Sequence, residues 1–255
     1  MTATEVLTPT TLGGLPISPV VEDTKYFNML VYGASGVGKT VLAGSSVEVP
    51  ELNPVIFLDI EGGTLSLRDR YPNVRKVRIA SWDDLVEAYV ALREGKIECG
   101  TLVLDSLTEL QNFGMEEIMS RAVMKAQEEG EERDPDLPGI GEHGKSTERM
   151  RKIIRRFRDL PMNTIFTSLD RTDVDKKGRK SIKPLLSPKL ADQVAGFLDV
   201  VVYMYKVEDD GQIKRVICTM ATDEVTAKDR TDRLPPVMED PTMSAIYQDA
   251  MGKAA

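Results

Sequence analysis

The sequence predicts a three-layer α/β fold, with a mainly parallel central sheet and helices on both of its faces. Short, mostly apolar runs recur along the chain, and segments of helical period alternate with them. Near the C-terminus two longer apolar runs flank a turn, which adds a β-hairpin. At 255 residues the chain is one large domain or a domain with extensions, long enough to bury a proper core.

Residues 1–25 are rich in Thr, Pro and Gly without a sustained period, and read as a flexible arm. A core is expected over 26–230. Its strands are YFNMLVYG (26–33), PVIFLDI (54–60), VRKVRIA (74–80), TLVLD (101–105) and NTIFTSL (163–169), apolar enough to be covered on both faces. Helices are expected at 39–47, 82–94, 106–128 and 146–159, with Ser81 as an N-cap and Gly95 as a stop. The hairpin joins 197–207 to 213–220 through DDGQ. Residues 231–255 form a tail with Pro235, Pro236 and Pro241 before one short helix. The polar stretch 126–145 is broken by Gly and Pro and has the length of a functional or mobile loop.

Charge is unevenly placed. The net charge is −8, yet residues 145–189 hold 14 Lys or Arg against 5 acids, while 109–142 hold 10 acids and 3 bases. That balance argues against a uniform coat of nucleic acid and for a local basic surface. Cys99 and Cys218 have no framework or metal spacing, as expected of a reducing compartment. No run approaches 18 apolar residues, so a cytoplasmic protein without a membrane partner is expected.

GASGVGKT supplies Gly33, Ala34, Ser35, Gly36, Val37, Gly38, Lys39 and Thr40 in the spacing of a phosphate-binding P-loop. It follows an apolar strand and opens a helix, the context that gives the motif meaning. Backbone N–H groups would close around the phosphates of ATP, Lys39 would reach the outer ones, and the Thr40 hydroxyl would bind Mg²⁺. The Mg²⁺ shell also needs an acid at the end of a buried strand. LVLD fits better than IFLD, because apolar residues run straight to Asp105 and then Ser106. Glu61, one step past the other strand, is then the candidate base that activates water. Its plainer reading is an acid at a helix start. Asp59 is expected to be structural, and the lone His143 a solvated loop residue.

GASGVGKT, VIFLDIEGG, LVLDSLTEL and STERMRKIIRRFRDLPMNTIFTSLD together resemble the RecA core, in the same order. That resemblance implies a P-loop NTPase of RecA type, with Glu61 catalytic and Asp105 in the Mg²⁺ shell. With PLLSPKLADQVAGFLDVVVYM (184–204) the chain is similar to phage RecA-like recombinases of the Sak type, which implies ATP-dependent single-strand annealing or strand pairing. The implied partners are single-stranded DNA, further copies of the chain in a ring or filament, and a single-strand binding protein. The implied compartment is a bacterial host cytoplasm.

TAKDRTDRL (226–234) is similar to a K-x-R motif whose cations reach a neighbour's γ-phosphate. This implies trans-acting roles for Lys228 and Arg230, against the alternative of a solvated surface run. The family's polar γ-phosphate sensor falls on Leu169, a departure. Either Ser168 takes over the sensing or coupling between ATP and DNA is weaker. The family's DNA-binding loops fall on about 130–145 and 170–183. The second carries Arg171, Lys176, Lys177, Arg179, Lys180 and Lys183, with Gly178 at a hairpin tip and no aromatic residue for stacking. Competing readings are a hexameric motor, helicase or loader, a small-molecule P-loop kinase, and a nucleotide switch.

Overall fold

The computed structural model describes residues 10–17 and 26–252. Strands β1 (Thr10–Leu12) and β2 (Leu15–Ile17) pair antiparallel, so part of the expected arm forms a small hairpin. The rest of that arm, 1–9 and 18–25, lies outside the described residues.

The core then runs β3 (Asn28–Tyr32), α1 (Lys39–Gly44), β4 (Val55–Asp59), β5 (Arg75–Arg78), α2 (Trp82–Arg93), β6 (Thr101–Asp105) and α3 (Leu107–Glu128). It continues through α4 (Ile140–Arg158), β7 (Asn163–Ser168), β8 (Asp170–Val174), β9 (Lys180–Pro184) and α5 (Pro188–Gln193). β10 (Val200–Asp209), β11 (Gln212–Cys218), β12 (Lys228–Asp229), β13 (Val237–Glu239) and α6 (Met243–Met251) close the chain.

The main sheet has the order β13-β11-β10-β3-β7-β6-β4-β5, with β12 also on β10. Strands β10, β3, β7, β6, β4 and β5 are mutually parallel, and β11, β12 and β13 pair antiparallel. Side chains alternate between two cores because strand residues have a period of two. Leu30, Tyr32, Leu58, Leu104 and Phe166 face one core with helix residues Leu85, Leu110, Ile154 and Phe157. Met29, Val31, Phe57, Val103 and Ile165 face the other with Leu42 and Ala43 of α1 and Ile246 and Tyr247 of α6. This is the three-layer, mainly parallel architecture expected of a RecA-type P-loop NTPase, with its C-terminal hairpin.

Three segments differ from expectation. β5 is exposed along its whole length, because it is the sheet's edge; its Arg75, Lys76 and Arg78 suit that place. Helix α4 begins at Ile140 rather than 146, since the Glu142 carboxylate accepts from the Gly139 N–H at 3.1 Å and caps the start. His143 and Lys145 therefore sit on a helix and not in a loop. Of the tail set apart in the sequence at 231–255, the described residues 231–252 add β13 to the sheet and α6 to one of its two helical layers, and 253–255 lie outside the described residues.

Candidate nucleotide site

The parallel strands β3, β4, β6 and β7 end on one edge, where Tyr32 is level with Ser168 and Asp59 with Asp105. Ligands of open parallel sheets bind at such carboxyl ends. The P-loop leaves β3 at Gly33, whose N–H donates to the Ser168 carbonyl at 3.2 Å. Lys39 is buried, and its Nζ donates to the Gly33 and Ala34 carbonyls at 2.8 and 2.9 Å. Burial pulls its ammonium below the usual lysine range, and Asp105, Glu61 and Asp170 act in the opposite sense.

Asp105 is 2% exposed and both its oxygens are engaged, one by Thr40 Oγ1 at 2.8 Å and one by Thr167 Oγ1. Its carbonyl accepts from the Ile60 and Glu61 N–H groups at 3.0 and 3.2 Å, which ties the Glu61 turn to β6. Glu61 itself is exposed and lines a cavity of about 470 Å³ with Ser35, Gly36, Gly38, Lys39, Thr40 and Asp105. The expected phosphate, metal and base residues thus meet in one place.

The pair Thr40–Asp105 offers hard oxygens, as Mg²⁺ requires. The described residues contain no group of three or more His, Cys, Asp or Glu that could cage a metal. A Mg²⁺ that keeps its waters and rides on nucleotide phosphates fits this donor set.

Asp59 is 1% exposed and accepts from the Gly62 N–H at 2.8 Å, Thr64 Oγ1 at 3.0 Å and Lys76 Nζ at 3.0 Å. Burial alone would push its carboxyl up. The hydrogen bonds from Lys76, Thr64 and Gly62 outweigh that and hold it below the usual carboxylate range. Asp59 is the knot that fixes the turn carrying Glu61.

Three expected site residues are engaged within the chain itself. The Ser168 hydroxyl is wholly buried, 3.0 Å from Thr108 Oγ1 and donating to the Leu169 carbonyl at 2.9 Å. With its only polar atom spent there, the neighbouring Thr167 is the β7 hydroxyl that meets the site, through Asp105. Lys228 Nζ donates to the carbonyls of Ala195 and Leu198 at 2.8 and 2.9 Å, within its own chain. Arg230 pairs with Asp199 at 2.6 Å and is half exposed. Both sit where β12 meets the first residues of β10, at the sheet end opposite the P-loop.

The basic hairpin forms as β8–β9 and leaves β7 directly at the cavity, where Leu169 is a wall residue. Its charge is less open than the sequence implies. Arg171 pairs with Asp173, Arg179 with Asp175 and Lys183 with Asp192. Lys176, Lys177 and Lys180, around Gly178 at the tip, make no ion pair among the described residues. Bases of α4 are also spent internally, Arg149 on Glu117 and the Trp82 ring, and Arg155 on the Phe197 ring.

Thr167, Arg70 and Arg215 were not legible as site residues. Arg70 and Arg215 line the cavity from a loop and from β11, and no local motif marks them.

The family model described as an AAA domain, AAA_24, matches residues 25–231. No curated protein matches this chain. Similar solved structures include a KaiC-like protein from Pyrococcus horikoshii OT3, at 14% identity and a TM-score of 0.38, covering 75% of this chain and 77% of that one. Another is the flagellar accessory protein FlaH from Methanocaldococcus jannaschii, at 10% identity and a TM-score of 0.40, covering 75% and 76%. No helix among the described residues is long and apolar enough to cross a membrane.

Proposed function

The chain belongs to the AAA_24 family of AAA domains, and from that premise we propose an ATP-hydrolysing, RecA-like protein that binds single-stranded DNA and promotes annealing or strand pairing. The observation that carries the ATP reading is the convergence of Lys39, Thr40, Asp105 and Glu61 on one cavity. Lys39 leaves its two loop carbonyls to meet the β- and γ-phosphates. Thr40 and Asp105 would hold Mg²⁺, which would supply neutralisation of charge on the phosphates. The Glu61 carboxylate orients a water and takes its proton as oxygen bonds to the γ-phosphorus and the bond to the β–γ bridging oxygen breaks.

The DNA reading rests on Lys176, Lys177 and Lys180 at the tip of a hairpin rooted at the nucleotide cavity. Without aromatic residues there, the grip is on phosphates, so it is independent of sequence and sensitive to salt. Assembly into a ring or filament belongs to the same proposal, with the half-exposed Arg230 as the cation that reaches a neighbour.

The test measures ATP hydrolysis with and without single-stranded DNA, and DNA binding at low salt. Hydrolysis with DNA that neither binds nor changes the rate would leave an ATPase and sink the DNA reading. Processive unwinding would replace annealing by a motor function.

A further inference from the structure

Resting on the nucleotide reading above, we propose that Arg70 and Arg215 form a cationic wall, supplied by this chain itself, that grips the phosphates of the bound nucleotide. Both line the 470 Å³ cavity and also a smaller one of about 170 Å³ that shares Gly38 and Val41 with it. The two residues therefore stand where the phosphate cavity continues along the start of α1.

Arg215 is built into that position. A Cβ on Gly33 would lie 2.1 Å from the Met204 carbonyl oxygen, so the P-loop packs directly on β10. Gly38, at a φ of 117°, leaves room for the Arg215 side chain to lie across it; a Cβ there would be 2.9 Å from Arg215 Nε. The Nε donates to the Val37 carbonyl at 3.2 Å. The backbone of Arg215 is pinned from both sides by Asp240, whose Oδ1 accepts from its N–H at 3.0 Å and whose own N–H donates to its carbonyl at 2.6 Å.

The remaining N–H groups of this guanidinium have no hydrogen-bond or carboxylate partner among the described residues, and neither has the Arg70 guanidinium. Elsewhere Arg149, Arg151, Arg171, Arg179 and Arg230 each meet a carboxylate of the chain. A half-buried arginine fixed without a carboxylate beside an open cavity is complemented by an anion entering that cavity. The planar fork of guanidinium suits phosphate oxygens in particular.

The grip is one of binding, since the phosphates concerned are present before and after hydrolysis. Arg70→Ala and Arg215→Ala should each raise the Kd of ATP and of ADP alike, by about tenfold, with KM rising and kcat changing little. Arg215→Lys should recover part of the loss, since it keeps charge but not the fork. Calorimetric titration with Mg-ATP and with ADP reads this directly. Circular dichroism of the free variants checks folding, and Arg70→Ala and Arg215→Lys carry the test if Arg215→Ala does not fold.

Unchanged ADP affinity in the folded variants overturns the proposal. So does a fall in kcat with ADP affinity kept, because that describes a group acting on the transition state. If the unsubstituted chain binds neither nucleotide while remaining folded, the nucleotide reading fails and this inference with it. If it binds both and the variants match it, this inference alone fails.

Discussion

Glu61 and Asp59 are two residues apart and do opposite things. Asp59 is sealed in, with its oxygens taken by Gly62, Thr64 and Lys76, whereas Glu61 stands exposed on the cavity. Glu61→Gln should leave nucleotide binding intact and lower turnover by about 10²–10⁴-fold, the usual worth of a positioned base. A phosphate-release assay beside an ATP titration checks both halves. Asp59 makes a stability prediction. Its native pKa is depressed, so its contribution is fully present above about pH 4 and fades as pH falls toward the native value. Asp59→Asn should therefore melt at a lower temperature than the parent at neutral pH, with the gap narrowing below about pH 4. Melting curves over that range would show a constant gap if the carboxylate's charge were irrelevant.

At the scale of elements, the β8–β9 hairpin carries the partner prediction. Its root is continuous with β7, and Leu185 N–H donates to the Leu169 carbonyl at 2.7 Å, so its base is fixed beside the nucleotide cavity. Its tip holds the three unpaired lysines. Replacing Lys176, Lys177 and Lys180 by Ala should weaken single-stranded DNA binding and reduce the slope of log K against log salt by about 2. Fluorescence anisotropy at several salt concentrations measures that slope; an unchanged slope would move the DNA contact elsewhere. The paired Arg171, Arg179 and Lys183 should matter less for binding and more for the hairpin's own structure.

Across the whole molecule, the last residues are part of the core. Ile246 and Tyr247 of α6 are buried with Met29, Val31 and Phe57 on the layer that also holds α1, and Tyr247 meets Phe27 edge to face. Met243 N–H donates to Ser45 Oγ at 2.9 Å, which joins α6 to the turn after the P-loop helix. Ile246→Ala should cost about 2–5 kcal/mol of stability, read as a lower urea midpoint with an unchanged slope. A loss under about 1 kcal/mol would mean that α6 contributes little to the fold.

Much of this protein was written locally. Apolar runs buried on both faces marked β3, β4, β6 and β7, Ser81 and Gly95 bounded α2, and the spacing of Gly33 to Thr40 specified the phosphate loop, because each depends on residues adjacent in the chain. Asp105 and Glu61 were legible because strand tips in a parallel sheet share one edge. What the chain order did not reveal depends on contacts between distant segments. Ser168 faces inward and Thr167 toward Asp105, since strand residues alternate and burial chooses the face. Half of the hairpin's bases are neutralised by carboxylates opposite or nearby, so a count of lysine and arginine overstated its open charge. Lys228 bonds to carbonyls thirty or more residues away, and Arg215 reaches Gly38 across nearly the whole core. The sequence determined the phosphate-loop motif and the strand tips beside it; tertiary packing alone decided which cations line the cavity next to them, because a side chain's partners are set by strand order in space and not by position in the chain.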